Sequence, residues 1–110
     1  MTNYNSNFDS TYPFTDTSAR FALATNVAQT YTVPGTNDKK YRAIFTYASN
    51  SNVIVALNKA ATVPGAGTNE TTTNMEYKPE ARYVKGGDEI SFITPDANAY
   101  CGVSLWLLPT

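Results

Sequence analysis

Carboxylates are the side chains in this chain placed for acid–base work. None of the 110 residues is a histidine, so the group that ordinarily titrates near neutral pH is missing. Two carboxylate pairs stand out: Glu76 with Glu80, and Asp88 with Glu89. Two carboxylates at a fixed separation can flank a glycosidic bond, one as acid and the other as base or nucleophile. Adjacent residues of a strand point to opposite faces, so Asp88 and Glu89 are not expected to act together. Both pairs read as solvated edge charges. Asp96 and Asn98 offer oxygen ligands to a calcium site built from several loops, but there is no EF-hand loop. One cysteine without histidine excludes the usual zinc clusters. Gly65-Ala66-Gly67 lacks the Gly and Lys that complete a phosphate-binding loop, and the nucleophile-elbow pattern is absent. Cys101 has no partner for an internal disulfide and reads as a small buried hydrophobe. No enzymatic activity, cofactor or metal is expected.

The elements that would position any of these groups centre on residues 82–108, RYVKGGDEISFITPDANAYCGVSLWLL. Ile90, Phe92 and Thr94 alternate with Glu89, Ser91 and Ile93, the period of a half-buried strand. Pro95 and Asp96 carry turn chemistry. Residues 100–108 are expected to run back antiparallel, apolar on both faces, with Gly102 leaving room for a close approach. Gly86-Gly87 is expected to form a two-residue primed turn with Lys85 and Asp88 facing each other across it. A slip of one residue there would exchange Ile90 and Phe92 for Glu89 and Ser91 in the core.

Upstream, residues 20–33 give two short strands or one bent at Thr25-Asn26, and Pro34-Gly35 opens a type II turn. Residues 41–57 read as a hairpin around Ala48-Ser49-Asn50-Ser51. Tyr41, Ala43, Phe45 and Tyr47 lie on one face of its first strand, and Arg42, Ile44 and Thr46 on the other. Residues 58–73 form a long loop, expected to cross between sheets or to bind. Short strands at 74–77 and 81–84, broken by Pro79, suit sheet edges. Seven or eight strands and no helix predict an all-β antiparallel β-sandwich of jelly-roll or Greek-key winding. Residues 19–110 form its single domain and residues 1–18 an extended N-terminal arm.

Composition narrows the partners. The formal charge is −1, so the basic footprint of a nucleic-acid binder is not apparent. No apolar run is long enough for a membrane span, and no secretory leader is expected. Charged residues make up 15% of the chain, with eight Tyr and five Phe. The arm carries Tyr4, Phe8, Tyr12 and Phe14, more rings than a solvated tail holds. They either fold over their own domain or order on a neighbouring molecule. Trp106 and Tyr100 of the last strand join them as candidate protein-contact residues, because Trp and Tyr are enriched in interface hot spots. The competing role for Trp106 is a place in its own core.

The run RYVKGGDEISFITPDANAYCGVSLWLLP resembles the closing strands of small jelly-roll proteins. With its size, its Thr/Asn-rich neutral surface and its aromatic arm, the chain resembles the decoration (cement) proteins of tailed-bacteriophage heads. That resemblance implies a non-enzymatic protein on the outer surface of the virion, assembled in the host cytoplasm. It implies binding to the major capsid protein, often as a dimer or trimer. The alternative is a carbohydrate- or receptor-binding sandwich module of a phage tail or fibre, and a small glycosidase is a distant third.

Overall fold

The computed structural model describes residues 14–64 and 71–109. These form eight strands: β1 (Thr17–Leu23), β2 (Gln29–Thr32), β3 (Lys40–Tyr47), β4 (Ile54–Leu57), β5 (Met75–Tyr77), β6 (Ala81–Lys85), β7 (Glu89–Ile93) and β8 (Ala99–Leu107). No helix occurs among the described residues. The strands make two four-stranded sheets, ordered β1-β8-β3-β6 and β2-β7-β4-β5, in which every pairing is antiparallel.

Alternation decides what lies between the sheets. Leu23, Ala43, Phe45, Val84, Cys101, Val103 and Leu105 of the first sheet pack on Val55, Ile90 and Phe92 of the second in one buried cluster. Phe92 and Leu105 are fully buried, and each large side chain so removed from water stabilises the fold by about 1.5–3 kcal/mol. The two open sides of the sandwich close differently. Between β1 and β7, Phe21 sits 5.5 Å from Phe92, and Tyr31 of β2 stands 5.8 Å from Phe21. Between edge strands β5 and β6, Arg82 reaches across to Glu76, its Nε 2.9 Å from Oε2. Pro79 lies between those two strands, and both are sheet edges, as a proline there requires.

Two expected hairpins are not hairpins. β3 and β4 lie in different sheets, and so do β7 and β8. Each strand of these pairs has one strongly apolar face. Opposite sheets bring those faces together, as in the Phe45–Phe92 ring contact at 6.1 Å; a hairpin would only set them side by side. Turns 48–53 and 94–98 therefore carry the chain across the sandwich. They are tied to each other: Asn52 donates its backbone N–H and its side-chain amide to the Asp96 carboxylate, and Thr94 Oγ1 donates to the Asn52 carbonyl.

The 85–88 corner also changes sheet. Asp88 N–H bonds the Lys85 carbonyl at 3.1 Å, and Gly87 takes φ +89° while Gly86 does not take a positive φ. That is a type II turn rather than the expected primed one; β6 and β7 are not paired, so no hairpin twist has to be matched. Nor does Asp88 face the Lys85 ammonium. It is buried, accepting from Lys85 N–H at 2.9 Å and from Asn58 Nδ2 at 3.2 Å.

The long segment after β4 does not cross between sheets, because β4 and β5 are neighbours in one sheet. Its described part folds over the outer face of that sheet. Ala61 and Val63 pack on Ile54, Ala56, Met75 and Ile93, and Ala61 N–H donates to Ser91 Oγ at 2.9 Å. β7, expected to be half-buried, is thus covered on both faces, with Ser91 and Ile93 out of water. Asparagine explains much of the loop geometry: Asn26, Asn50, Asn58, Asn74 and Asn98 all take φ near +60°, which its short polar side chain tolerates better than most.

Candidate functional site

The register of the first sheet builds one outward face. Cys101, Val103 and Leu105 point into the core, so Tyr100, Gly102, Ser104 and Trp106 point out. On β3, Arg42 is the cross-strand partner of both Trp106 and Tyr83. The three form one row across β8, β3 and β6, about 10 Å wide at the usual strand spacing. The next row holds Ser104, Ile44, Ala81 and Ser18, and the one after it Gly102, Thr46 and Arg20. At Gly102 a Cβ would lie 3.1 Å from the Ala19 carbonyl oxygen and from Thr46 Oγ1 and 3.3 Å from Arg20 Cγ. The glycine lets the Arg20 stem lie flat on the sheet, which is the close approach expected of it.

The two outer faces are unlike. The strap at residues 58–64 covers the second sheet. The first sheet carries Tyr83 at 75% and Tyr100 at 53% exposure, with Trp106, Ile44 and Arg42 half-buried among them.

Of the residues singled out in the sequence for protein contact, Tyr100 and Trp106 share this face. Trp106 is not a core residue: its place on β8 alternates with the buried side chains. Phe14 is almost wholly exposed at 98%, next to the point where the chain is fastened to β8. There Asp16 N–H bonds the Leu105 carbonyl at 2.9 Å, and Leu107 N–H bonds Asp16 Oδ2 at 2.7 Å. Tyr4, Phe8 and Tyr12 lie outside the described residues. Tyr83, Arg42 and Ile44 were missed as site residues. The alternation of β3 put Arg42 and Ile44 on the face away from Phe45, but only the register brings them beside Trp106 and Tyr83.

Of the carboxylates considered for chemistry, Glu76, Asp88 and Asp96 are hydrogen-bonded into the scaffold. Arg82 holds Glu76 through two bonds, and its guanidinium lowers the Glu76 carboxyl below the usual range, the opposite of the shift that makes a general acid. Glu80 is exposed, and its backbone carbonyl accepts from Phe45 N–H at 2.9 Å. Asp88 is the buried corner clip, while Glu89 faces solvent. Asp96 serves Asn52, and Asn98 is a left-handed corner residue. Among the described residues no three Asp, Glu, Cys or His side chains cluster as metal ligands do. Cys101 is buried, and burial pushes its thiol up to about 12.

A shallow cavity of about 110 Å³ opens between β4–β5 and β6, lined by Phe45, Val55, Leu57, Val84 and Ile90 behind the Glu76–Arg82 pair. Comparison of the chain with protein-family models, curated proteins and solved structures finds no match.

Proposed function

We propose that this chain is a non-enzymatic structural protein of a virus particle. It binds the outside of a bacteriophage capsid and stabilises the shell by bridging major capsid protein subunits. The observation that supports this reading is the asymmetry of the outer faces: among the described residues a strap covers one, and none covers the other, which carries Trp106, Tyr83 and Tyr100. Trp, Tyr and Arg are the side chains most enriched at protein-contact hot spots. The strand orders β1-β8-β3-β6 and β2-β7-β4-β5 favour a jelly-roll winding, an architecture used in capsid and lectin domains. Fold alone does not name a function, so the open face carries more weight. The residues ahead of β1 serve as an arm giving a second contact, with Phe14 at its root; Thr17 and Ser18, expected in the arm, are instead paired with β8. Two weak contacts on neighbouring subunits reinforce each other, because the second becomes intramolecular. A dimer or trimer of the chain would match the symmetry axes of a shell.

The test is the copy number of the chain in purified particles of its source, by quantitative mass spectrometry against the major capsid protein. A ratio near one, or a simple fraction of it, fits a lattice-wide decoration protein. Absence from particles overturns the proposal. A few copies per particle would favour the second reading, a carbohydrate- or receptor-binding module of a tail or fibre. That reading is supported by the exposure of the Tyr83 and Tyr100 rings, since a ring that stacks on a sugar must be open to it.

A further inference from the structure

Charge is segregated between the two sheets. β1, β3, β6 and β8 contain Arg20, Lys40, Arg42, Arg82 and Lys85 and no Asp or Glu. β2, β4, β5 and β7 contain Glu76 and Glu89 and no Lys or Arg. This occurs in a chain whose net formal charge is −1. Four of the five basic residues lie on the outward face of the first sheet; the fifth, Arg82, is turned to Glu76.

Lys40 and Lys85 are direct cross-strand partners. Like charges directly opposite each other destabilise a strand pair, and Arg42 adds a third positive charge one row along. Of the flanking-loop carboxylates, Asp16 takes the Leu107 N–H. Asp38 takes the Thr36 hydroxyl and also feels the Lys40 charge, so the uncompensated charge falls chiefly at the Lys85 end of the pair.

We propose that the open face of the first sheet docks an acidic protein surface, with carboxylates of the partner meeting Lys40, Arg42 and Lys85 while Tyr83 and Trp106 pack against its apolar atoms. This rests on the open-face reading above and adds the chemistry of the partner. A second copy of the chain is a poor occupant, because a self-paired face needs acidic groups opposite its basic ones and its four strands have none; homo-oligomers form through another surface. Aromatic and Arg side chains within a patch, with Lys at its margin, match the anatomy of a protein interface. Size sets the strength. Four strands at about 4.8 Å spacing and eight residues at about 3.3 Å each give roughly 500 Å² of face. A standard interface uses about 800 Å² per partner, so one copy binds weakly and a lattice supplies the rest.

The experiment is amide NMR of the full chain titrated with a short poly-L-glutamate peptide, and in parallel with a heparin oligosaccharide and an oligothymidylate. Shifts at Lys40–Ile44, Tyr83–Lys85 and Trp106 with poly-glutamate are expected. They should disappear at about 1 M salt, where the screening length falls to about 3 Å. Lys85→Gln, an exposed change, should weaken binding a few-fold, and its combination with Arg42→Gln up to about tenfold. Shifts with heparin or oligothymidylate as large as those with poly-glutamate overturn the protein assignment in favour of a glycan or nucleic acid. No shift with any of the three overturns the anionic partner. Binding of variants to purified particles separates this inference from the one beneath it. If Trp106→Ala abolishes binding and Lys85→Gln with Arg42→Gln does not, the face is right and its acidic partner wrong. If none of the three changes matters, the face itself is wrong.

Discussion

The Asp96 carboxylate accepts the backbone N–H of Asn52 at 2.6 Å and its side-chain amide at 3.2 Å, joining two turns 44 residues apart. Those turns carry the chain between the sheets in opposite directions. Asn52 is used at every polar group, since Tyr77 Oη donates to its side-chain oxygen and Thr94 Oγ1 to its carbonyl. Asp96→Ala removes a charged acceptor from two donors at a half-buried site. It is expected to lower stability by about 1–2 kcal/mol, read as a lower urea midpoint at unchanged slope. A midpoint equal to the parent's would mean that water replaces the carboxylate without loss.

The glycines of the 85–88 corner are required for different reasons. A Cβ on Gly86 would run into the Thr36 carbonyl oxygen and come within 2.7 Å of the Gly35 carbonyl carbon. Neither is a flexible group, so the backbones must separate. Gly87 has open space around it and a φ of +89°, which costs an ordinary residue about 1–2 kcal/mol. Gly86→Ala is therefore predicted to melt at a lower temperature than Gly87→Ala, and Gly87→Asn should recover part of the latter's loss. Gly87→Val combines the φ penalty with β-branching and is the worst change at that position. Equal melting of Gly86→Ala and Gly87→Ala would contradict the close packing of 35–36 on 86.

The strap depends on one buried bond. Ser91→Ala leaves the Ala61 N–H without its acceptor at a buried site, expected to cost about 1–3 kcal/mol. Hydrogen exchange at Ala61 should quicken more than at the core strands. Loss of protection spread evenly over β7 and β8 would show that the strap and the sandwich open as one unit.

Cys101 provides a readout of opening. Its thiol is buried and held up to about 12 against an ordinary 9.0, so a thiol reagent at pH 8 should react at the unfolding rate or below. Tyr47, also raised by burial, acts in the same sense. In both cases the unfolded chain ionises first. The stability these groups contribute is complete below their unfolded values, about 9 and 10, and is lost as pH rises above them. Glu76 has the opposite sign. Its carboxyl is lowered beneath the ordinary 4.5, so the contribution is present above that value and disappears as the solution is acidified through the folded value. Melting temperatures from pH 3 to pH 11 should fall at both ends, and Glu76→Gln should flatten the acid limb alone.

Much of the strand content was legible because alternation is local. Ile90 and Phe92, or Cys101, Val103 and Leu105, declare a buried face without reference to any partner. Pro79 likewise marked β5 and β6 as edges. Partnership is not local. The 41–57 stretch looks like a hairpin because alternation and turn residues are the same whether the second strand pairs beside the first or across from it. Residues 58–64 are too polar to show an apolar period, and their task of covering Ile54 and Ile93 appears only once those side chains share a face. The candidate site had the same limit. Trp106 and Tyr100 were visible as large rings on an apolar strand, whereas Tyr83 and Arg42 joined them only through the register of β3 with β6 and β8.

The order of strands in the first sheet has a consequence for synthesis. β8 is the last of the eight described strands, yet it lies between β1 and β3. Until it has been translated, β1 has no partner in its sheet, and β3 has only β6. Nearly every pairing joins distant segments, the topology that folds in milliseconds to seconds rather than microseconds. A nascent chain stalled before residue 99 would hold β1 unpaired, and Phe21 and Leu23 with it, open to chaperones or to aggregation. The half-made protein is thus where the cell should meet its exposed apolar strands, and a stalled-ribosome complex is where to look for them.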